Sequence, residues 1–167
     1  MTRGRAGLLL VAVLLSATRA AAQPLPPEVE SARTAFSEAC RRAGGTATFG
    51  DGFLRRANIT PDGRPDYVLD ARAISCPTDS LLYCGSGGCD VIVIASVGRT
   101  YRRIHDTTAR GVALRPRARG DLLLLTLHDS SCPPARPACQ AALAWNGRRL
   151  APWRDSITNT TPLRPNR

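Results

Sequence analysis

The spacing of apolar residues predicts one helix near the start of the chain. Within residues 28–43, apolar side chains recur every three or four positions, as they do on the buried face of an amphipathic helix. Pro27 suits the first turn, where its missing N–H has no partner to lose, and Gly44 and Gly45 end the pattern. The expected core positions are Val29, Ala32, Ala35, Phe36, Ala39 and Cys40.

Beyond the helix, the residue types favour β-strands. Residues 90–97 and 121–128 are short, nearly continuous apolar stretches, which are typical of strands buried on both faces. Asn146-Gly147 is a strong hairpin turn. The other predicted strands are residues 53–57, 66–74, 100–105, 111–115, 141–145 and 149–153. Together these elements predict an α+β fold, in which one N-terminal helix packs on a mostly antiparallel β-meander.

The first residues have the pattern of a secretory signal peptide. Two arginines precede an apolar stretch, residues 6–15, which is shorter than the roughly 20 residues that a helix needs to cross a bilayer. Small side chains at Ala20 and Ala22 suit the cleavage site of a signal peptidase. We therefore expect residues 1–22 to be a cleaved signal peptide, which places the mature protein in the periplasm or outside the cell.

The rest of the chain has the length of one domain. About 145 residues are enough to bury a hydrophobic core. We expect residues 23–153 to form a single globular domain, followed by a flexible C-terminal tail over the polar, proline-containing residues 154–167. No apolar run is long enough for a transmembrane segment.

The basic residues are unusual because all 23 are arginine and the sequence contains no lysine. This composition excludes chemistry that needs an ammonium group, such as a Schiff base or a phosphate-binding loop of the P-loop type. The formal net charge is +10. Outside the cytoplasm, such a protein would meet an anionic envelope polymer or another secreted protein rather than nucleic acid.

One segment concentrates this charge and is a candidate anion-binding site. If residues 100–105 form a strand, Tyr101, Arg103 and His105 share one face of it. A strand that carries several arginines and an aromatic side chain can bind a sulfate, phosphate or uronate group. The alternative is a solvated edge strand, where charge prevents the pairing of two sheets. The candidate anion-binding residues are Arg99, Arg102 and Arg103.

Six cysteines in an exported chain predict up to three disulfides, with 15 possible connectivities. Glycines between residues 84 and 89, and prolines between residues 132 and 139, suit two short closed loops. Those local pairs would leave two cysteines to tie the helix to the sheet. Zinc binding is the alternative, and the spacings fit it poorly. The cysteines are Cys40, Cys76, Cys84, Cys89, Cys132 and Cys139.

Residues 58–66 read N-x-T-x-D-G-x-x-D, which is the pattern of a calcium loop. Such loops supply side-chain oxygens from the first, third, fifth and ninth positions and a backbone carbonyl from the seventh. We expect one weak calcium site here. The alternative is a hairpin turn in which the aspartates accept hydrogen bonds from backbone amides. The candidate ligands are Asn58, Thr60, Asp62, Asp66 and, through its carbonyl, Arg64.

The sequence Asp62-Gly63, followed by Asp66-Tyr67-Val68, resembles the FG-GAP and VCBS repeats of integrin-like β-propellers. The resemblance implies a cation-binding loop between two strands. A single copy excludes a propeller, which needs several blades. With the loop at 84–89 and the hairpin after Trp145, the chain also looks like small secreted bacterial proteins that carry one such loop.

These features favour a non-catalytic structural or binding module. One alternative is a hydrolase of envelope material that uses carboxylates and His128, with Asp129 beside it. Ser86 lies in a Gly-Ser-Gly-Gly stretch that is similar to the nucleophile region of serine proteases, but Gly85 replaces the acid expected there. The other alternative is an inhibitor of a secreted enzyme that inserts the rigid 84–89 loop.

Overall fold

The computed structural model describes residues 24–132 and 139–158, with side chains described as far as Trp153. The predicted signal peptide, residues 1–22, lies outside the described residues, as do residues 133–138 and 159–167. The described part contains one α-helix, a five-stranded sheet, a four-stranded sheet and a separate two-stranded pair. All of the strand pairs described are antiparallel. One helix on mostly antiparallel sheets is the α+β class that the sequence predicts.

The helix, α1, spans Pro27–Arg42 and is close to its predicted bounds. Glutamates in the first turn and arginines in the last complement the helix dipole. The helix ends at a left-handed glycine, Gly44, with a φ of 82°. The buried residues of the helix are Val29, Ala32, Phe36 and Cys40. Ala35, which the periodicity assigns to the core, is exposed instead.

The strands divide into two stacked sheets. In the first sheet β2, β3 and β6 lie side by side, and β5 and β7 both pair with β6. The second sheet is a meander with the order β11-β10-β9-β8, and β1 pairs with β4 separately. The bounds are β1 Thr48–Phe49, β2 Leu54–Ala57, β3 Asp66–Asp70, β4 Ile74–Ser75, β5 Cys84–Gly85, β6 Gly88–Val97, β7 Thr100–Ala109, β8 Gly111–Arg115, β9 Leu122–Leu127, β10 Cys139–Trp145 and β11 Leu150–Thr158.

The first sheet is the middle layer of the molecule. Alternate residues of β6, such as Ile92 and Ile94, belong to the hydrophobic cluster beneath α1. The residues between them, such as Val91 and Val93, pack against Leu123 and its neighbours in the second sheet. The prediction that this strand is buried on both faces is therefore confirmed, since α1 covers one face of β6 and the second sheet covers the other.

A buried aspartate connects the two sheets. The Asp70 carboxylate binds the guanidinium groups of Arg55 and Arg72, which also donate to the carbonyl oxygens of Val112 and Arg110. Because Asp70 also accepts the backbone N–H of Arg72, the chain turns into a short 3-10 helix at Ala71–Ala73. The prediction of one strand over residues 66–74 is therefore wrong after Asp70.

Three disulfides join Cys40 to Cys76, Cys84 to Cys89 and Cys132 to Cys139. This is the pairing that the local loops favour, and no described cysteine is free. The first bridge ties α1 to the segment after β4, and the second closes the turn between β5 and β6. In the predicted tail, the backbone of residues 154–158 continues β11.

Candidate functional site

The predicted calcium loop is held by protein hydrogen bonds. The Asp66 carboxylate, which is 0% exposed, accepts the backbone N–H groups of Thr60 at 2.6 Å and Ser96 at 2.8 Å. The Thr60 hydroxyl lies 3.0 Å from both carboxylate oxygens, and the Ser96 hydroxyl donates to Asp62 at 2.6 Å. Each Asp66 oxygen therefore already has protein donors.

The other candidate ligands do not complete a cation site. Arg64 directs its backbone N–H and its guanidinium group at Asp62, and the same guanidinium donates to the carbonyl oxygen of Gly98. At Asn58 the contacts to Asp121 are made by the backbone. No cluster of three His, Cys, Asp or Glu residues among the described positions could hold a metal ion. These contacts fit the hairpin-turn interpretation, and calcium binding stays a prediction.

Hydrogen bonding in this loop lowers the pKa of the Asp62 carboxyl. Burial alone would raise the pKa of Asp62, but hydrogen bonds from Ser96 and Arg64 outweigh it and lower the pKa below its usual value. Ser96, which joins Asp62 to Asp66, is absent from the sequence-based prediction. Its one signature is a lone hydroxyl in the apolar stretch of residues 90–97.

The predicted face of β7 is wrong because a β-bulge interrupts the strand. The cross-strand partner of Arg103 is Ile94, but the partner of His105 is Val93, so the intervening residue shifts the register. Arg103 therefore faces α1, whereas His105 faces the second sheet. Burial lowers the pKa of His105, and its Nε2 has no hydrogen-bond partner among the described residues.

The candidate anion-binding arginines do not converge. Arg102 pairs with Ala95 on the face opposite Arg103, and Arg99 lies in the turn before β7. Arg103 forms an ion pair with Asp106, with 2.8 Å between Nη1 and Oδ2. Among the described residues β7 pairs with β6 alone. These positions fit the alternative of a charged edge strand.

A groove runs between α1 and the strands β6 and β7. Two cavities of about 430 Å³ and 280 Å³ adjoin, since Ala32, Ala35 and Arg103 line both. Ile94 lines the larger cavity and Ile92 the smaller one. Space remains here because this side of the helix carries alanines, which are too short to reach the sheet.

The groove carries acidic groups in an otherwise basic protein. Glu28 lies at one end, and Asp90 and Asp106 line the smaller cavity beside Arg103. Burial, with a smaller contribution from Asp106, raises the pKa of the Asp90 carboxyl above its usual value. Within the described part of the chain, the Asp90 side chain forms neither an ion pair nor a hydrogen bond. Asp90 is thus a half-buried carboxylate without a partner next to apolar side chains.

A smaller pocket lies at the C-terminal end of β7, next to the smaller groove cavity, because its Thr108 is the cross-strand partner of Asp90. It has a volume of about 140 Å³ and is lined mainly by hydroxyl groups and one imidazole. The Cys84–Cys89 turn forms one wall, and the 3-10 turn Asp129–Ser131 forms the other. The polar lining residues are Ser86, Thr108, His128, Ser130 and Ser131.

This pocket contains the residues of the hydrolase alternative but does not arrange them for catalysis. Nδ1 of His128 lies 2.7 Å from the Asp129 carboxylate, yet it also accepts the backbone N–H of Ser130. Ser86 lines the same pocket, but its hydroxyl makes no hydrogen bond to His128 among the described contacts. No carboxylate is among the described residues that line the pocket. A nucleophile bonded to its base, which the hydrolase needs, is not formed here.

Comparisons with known proteins supply no relative for this fold or for either pocket. No family model, curated protein or solved structure matches the chain. Across residues 24–132 and 139–158, no helix is long and apolar enough to cross a membrane.

Proposed function

We propose that the chain is an exported, disulfide-stapled binding module, and that its groove binds a basic, apolar segment of another secreted protein. Three disulfides in so small a domain are typical of oxidising compartments outside the cytoplasm. The observation that carries the proposal is the Asp90 carboxylate, which lies in the groove beside apolar side chains and has no partner among the described residues.

Asp90 supports a cationic ligand because its half-buried carboxylate has a raised pKa and no partner among the described residues, so a nearby cation would stabilise its charged form. An arginine or lysine side chain of the ligand would supply that partner, and it would also contact Asp106. The stem of such a side chain is apolar, which suits Ile92 and the alanines of α1. An anionic polymer would instead meet Glu28 and Asp90, since the Arg103 guanidinium in the groove is already paired with Asp106.

A polypeptide ligand is favoured by an apolar residue beside the groove. Leu81 is 72% exposed, and the next residues, Leu82 and Tyr83, line the smaller cavity. A small ion would leave Leu81 in water, whereas neighbouring apolar residues of a peptide would cover it. The ligand that fits both features alternates basic and apolar residues.

The test compares two capped peptides, acetyl-Leu-Arg-Leu-Arg-amide and acetyl-Leu-Glu-Leu-Glu-amide, by isothermal titration calorimetry with the oxidised protein. We expect the basic peptide to bind and the acidic one not to bind. Asp90→Asn should weaken binding of the basic peptide about tenfold, as loss of a charge-assisted hydrogen bond does. Leu81→Ser should weaken it by a smaller factor.

Asp51→Asn is the matched control, since Asp51 is an exposed aspartate that lines a different recess. It changes the net charge as Asp90→Asn does and should leave the affinity unchanged. Equal binding of both peptides would mean that charge does not select the ligand. Equal losses in the two variants would mean that the attraction is not local to the groove. Either result would refute the proposal. An absence of binding by the basic peptide would refute it as well.

A further inference from the structure

We propose that the hydroxyl-lined pocket at the end of β7 is a second binding site, which takes one sugar unit. This pocket shares no lining residue with the groove, although its Thr108 is the cross-strand partner of Asp90. Both of its walls are covalently braced, because Cys84–Cys89 closes one turn and Cys132–Cys139 follows the other. A cavity between two braced turns is formed before its ligand arrives, which reduces the entropy cost of binding.

The hydroxyl groups in this pocket are available to a ligand. Those of Ser86, Thr108 and Ser131 accept or donate no hydrogen bond to another described residue, whereas Ser130 is engaged by His128. A hydroxyl both donates and accepts, as does each hydroxyl of a sugar. Three such groups and an imidazole around one cavity can therefore bind neighbouring hydroxyls of one ring.

The charges around the pocket favour a neutral ligand over an anion. The Arg110 guanidinium spans the two walls, since it donates to the carbonyl oxygen of Ser86 at 3.2 Å and lies 3.8 Å from the Asp129 carboxylate. The cation is thus already paired. An incoming sulfate or phosphate would approach Asp129 as well as Arg110 and would gain little.

The size of the pocket limits the ligand to one unit. Its volume of about 140 Å³ would hold about four or five water molecules at roughly 30 Å³ each, which is the scale of a single ring rather than an oligosaccharide. Leu127 supplies an apolar patch on which one face of a ring can rest. The remainder of a glycan would extend into solvent.

The experiment records backbone amide NMR spectra of the oxidised protein during titration with the methyl glycosides of glucose, galactose and N-acetylglucosamine. At least one glycoside should shift the amides of Gly87, Thr108 and Ser131 with saturation. Thr108→Val removes one hydroxyl at constant shape and should weaken that glycoside by about 3- to 10-fold. Gly87→Val should abolish its binding, since a Cβ there lies 3.8 Å from the Thr108 hydroxyl without strain.

Thr107→Val is the matched control, because Thr107 pairs with Val91 and faces the second sheet. It should bind the glycoside as the native protein does. Shifts with sodium sulfate but with none of the glycosides would make the pocket an oxyanion site and overturn the inference. Glycoside shifts that persist unchanged in Thr108→Val, or an absence of shifts with all three glycosides, would also overturn it.

Discussion

The two ends of β6 treat a carboxylate in opposite ways. At one end Ser96 and Thr60 surround Asp66, so that a fully buried charge has hydrogen-bond donors on both oxygens. At the other end Asp90 lies half-buried beside Ile92 with no described partner. The chain supplies the hydrogen-bond donors at the first end, whereas at the second end the described residues supply none.

This difference separates acids that hold the fold together from candidate ligand-binding acids better than residue type does. Asp62 and Asp66 are candidate ligands by sequence because their spacing matches a calcium loop. Their oxygens instead bind the protein's own N–H and O–H groups, whereas Asp90 belongs to no motif. What distinguishes Asp90 is that it is half-buried and yet makes no hydrogen bond to the described residues, and that combination appears only after folding.

The largest expected effect is on stability, from removing the buried carboxylate. Asp66→Ala leaves the N–H groups of Thr60 and Ser96 buried without acceptors, at about 1–3 kcal/mol for each. We expect the free energy of unfolding in urea to fall by about 3 kcal/mol or more. Asp90→Ala removes no hydrogen bond to a described residue and should change it far less, with at most a small gain at neutral pH, where ionised Asp90 costs stability. Similar losses in both variants would remove the contrast between the two ends of β6.

Much of the fold could be predicted from the sequence because local chemistry determines it. The helix spacing, the two buried strands and the short cysteine loops are set by neighbouring residues, and each appears as predicted. The stacking of two sheets could not be predicted, because it depends on which strand pairs with β6. The apolar stretch of residues 90–97 indicates only that both of its faces are covered.

The candidate sites were less predictable because they depend on long-range register. A single bulged residue on β7 places His105 and Arg103 on opposite faces, and no residue type in residues 100–105 marks it. The groove exists because Ala35 is short, yet helical periodicity assigns any alanine at that position to the core. Only the positions of α1 and β7 in the structure show that space remains there.

The contributions of Asp62 and Asp90 to the free energy of unfolding should also change with pH in opposite directions. The folded pKa of Asp62 is lowered, so its stabilising contribution is present above the unfolded value and is lost as pH falls through the folded pKa. The folded pKa of Asp90 is raised, so its ionisation costs stability as pH rises, and the cost disappears on acidification.

Urea midpoints measured between pH 3 and pH 7 test these directions. Asp62→Asn should reduce the loss of stability on acidification. Asp90→Asn should enlarge that loss, because the native protein gains stability there when Asp90 takes up a proton. Arg64 partly shields Asp62 and solvent reaches it, so the effect is smaller than that of Asp66→Ala. An identical dependence of the urea midpoint on pH in the two variants would contradict the opposite pKa shifts of Asp62 and Asp90.

The smallest expected effect is the change in melting temperature on adding calcium. It decides whether the loop of residues 58–66 is a cation site or a hairpin turn. To coordinate a cation, Asp66 would have to exchange its bonds to Thr60 and Ser96, and the Arg64 guanidinium would have to leave Asp62. A ligand that binds only the folded state raises the melting temperature. We therefore expect the same melting temperature in millimolar calcium and in excess chelator. An increase with calcium that disappears in Asp62→Ala would instead restore the cation site.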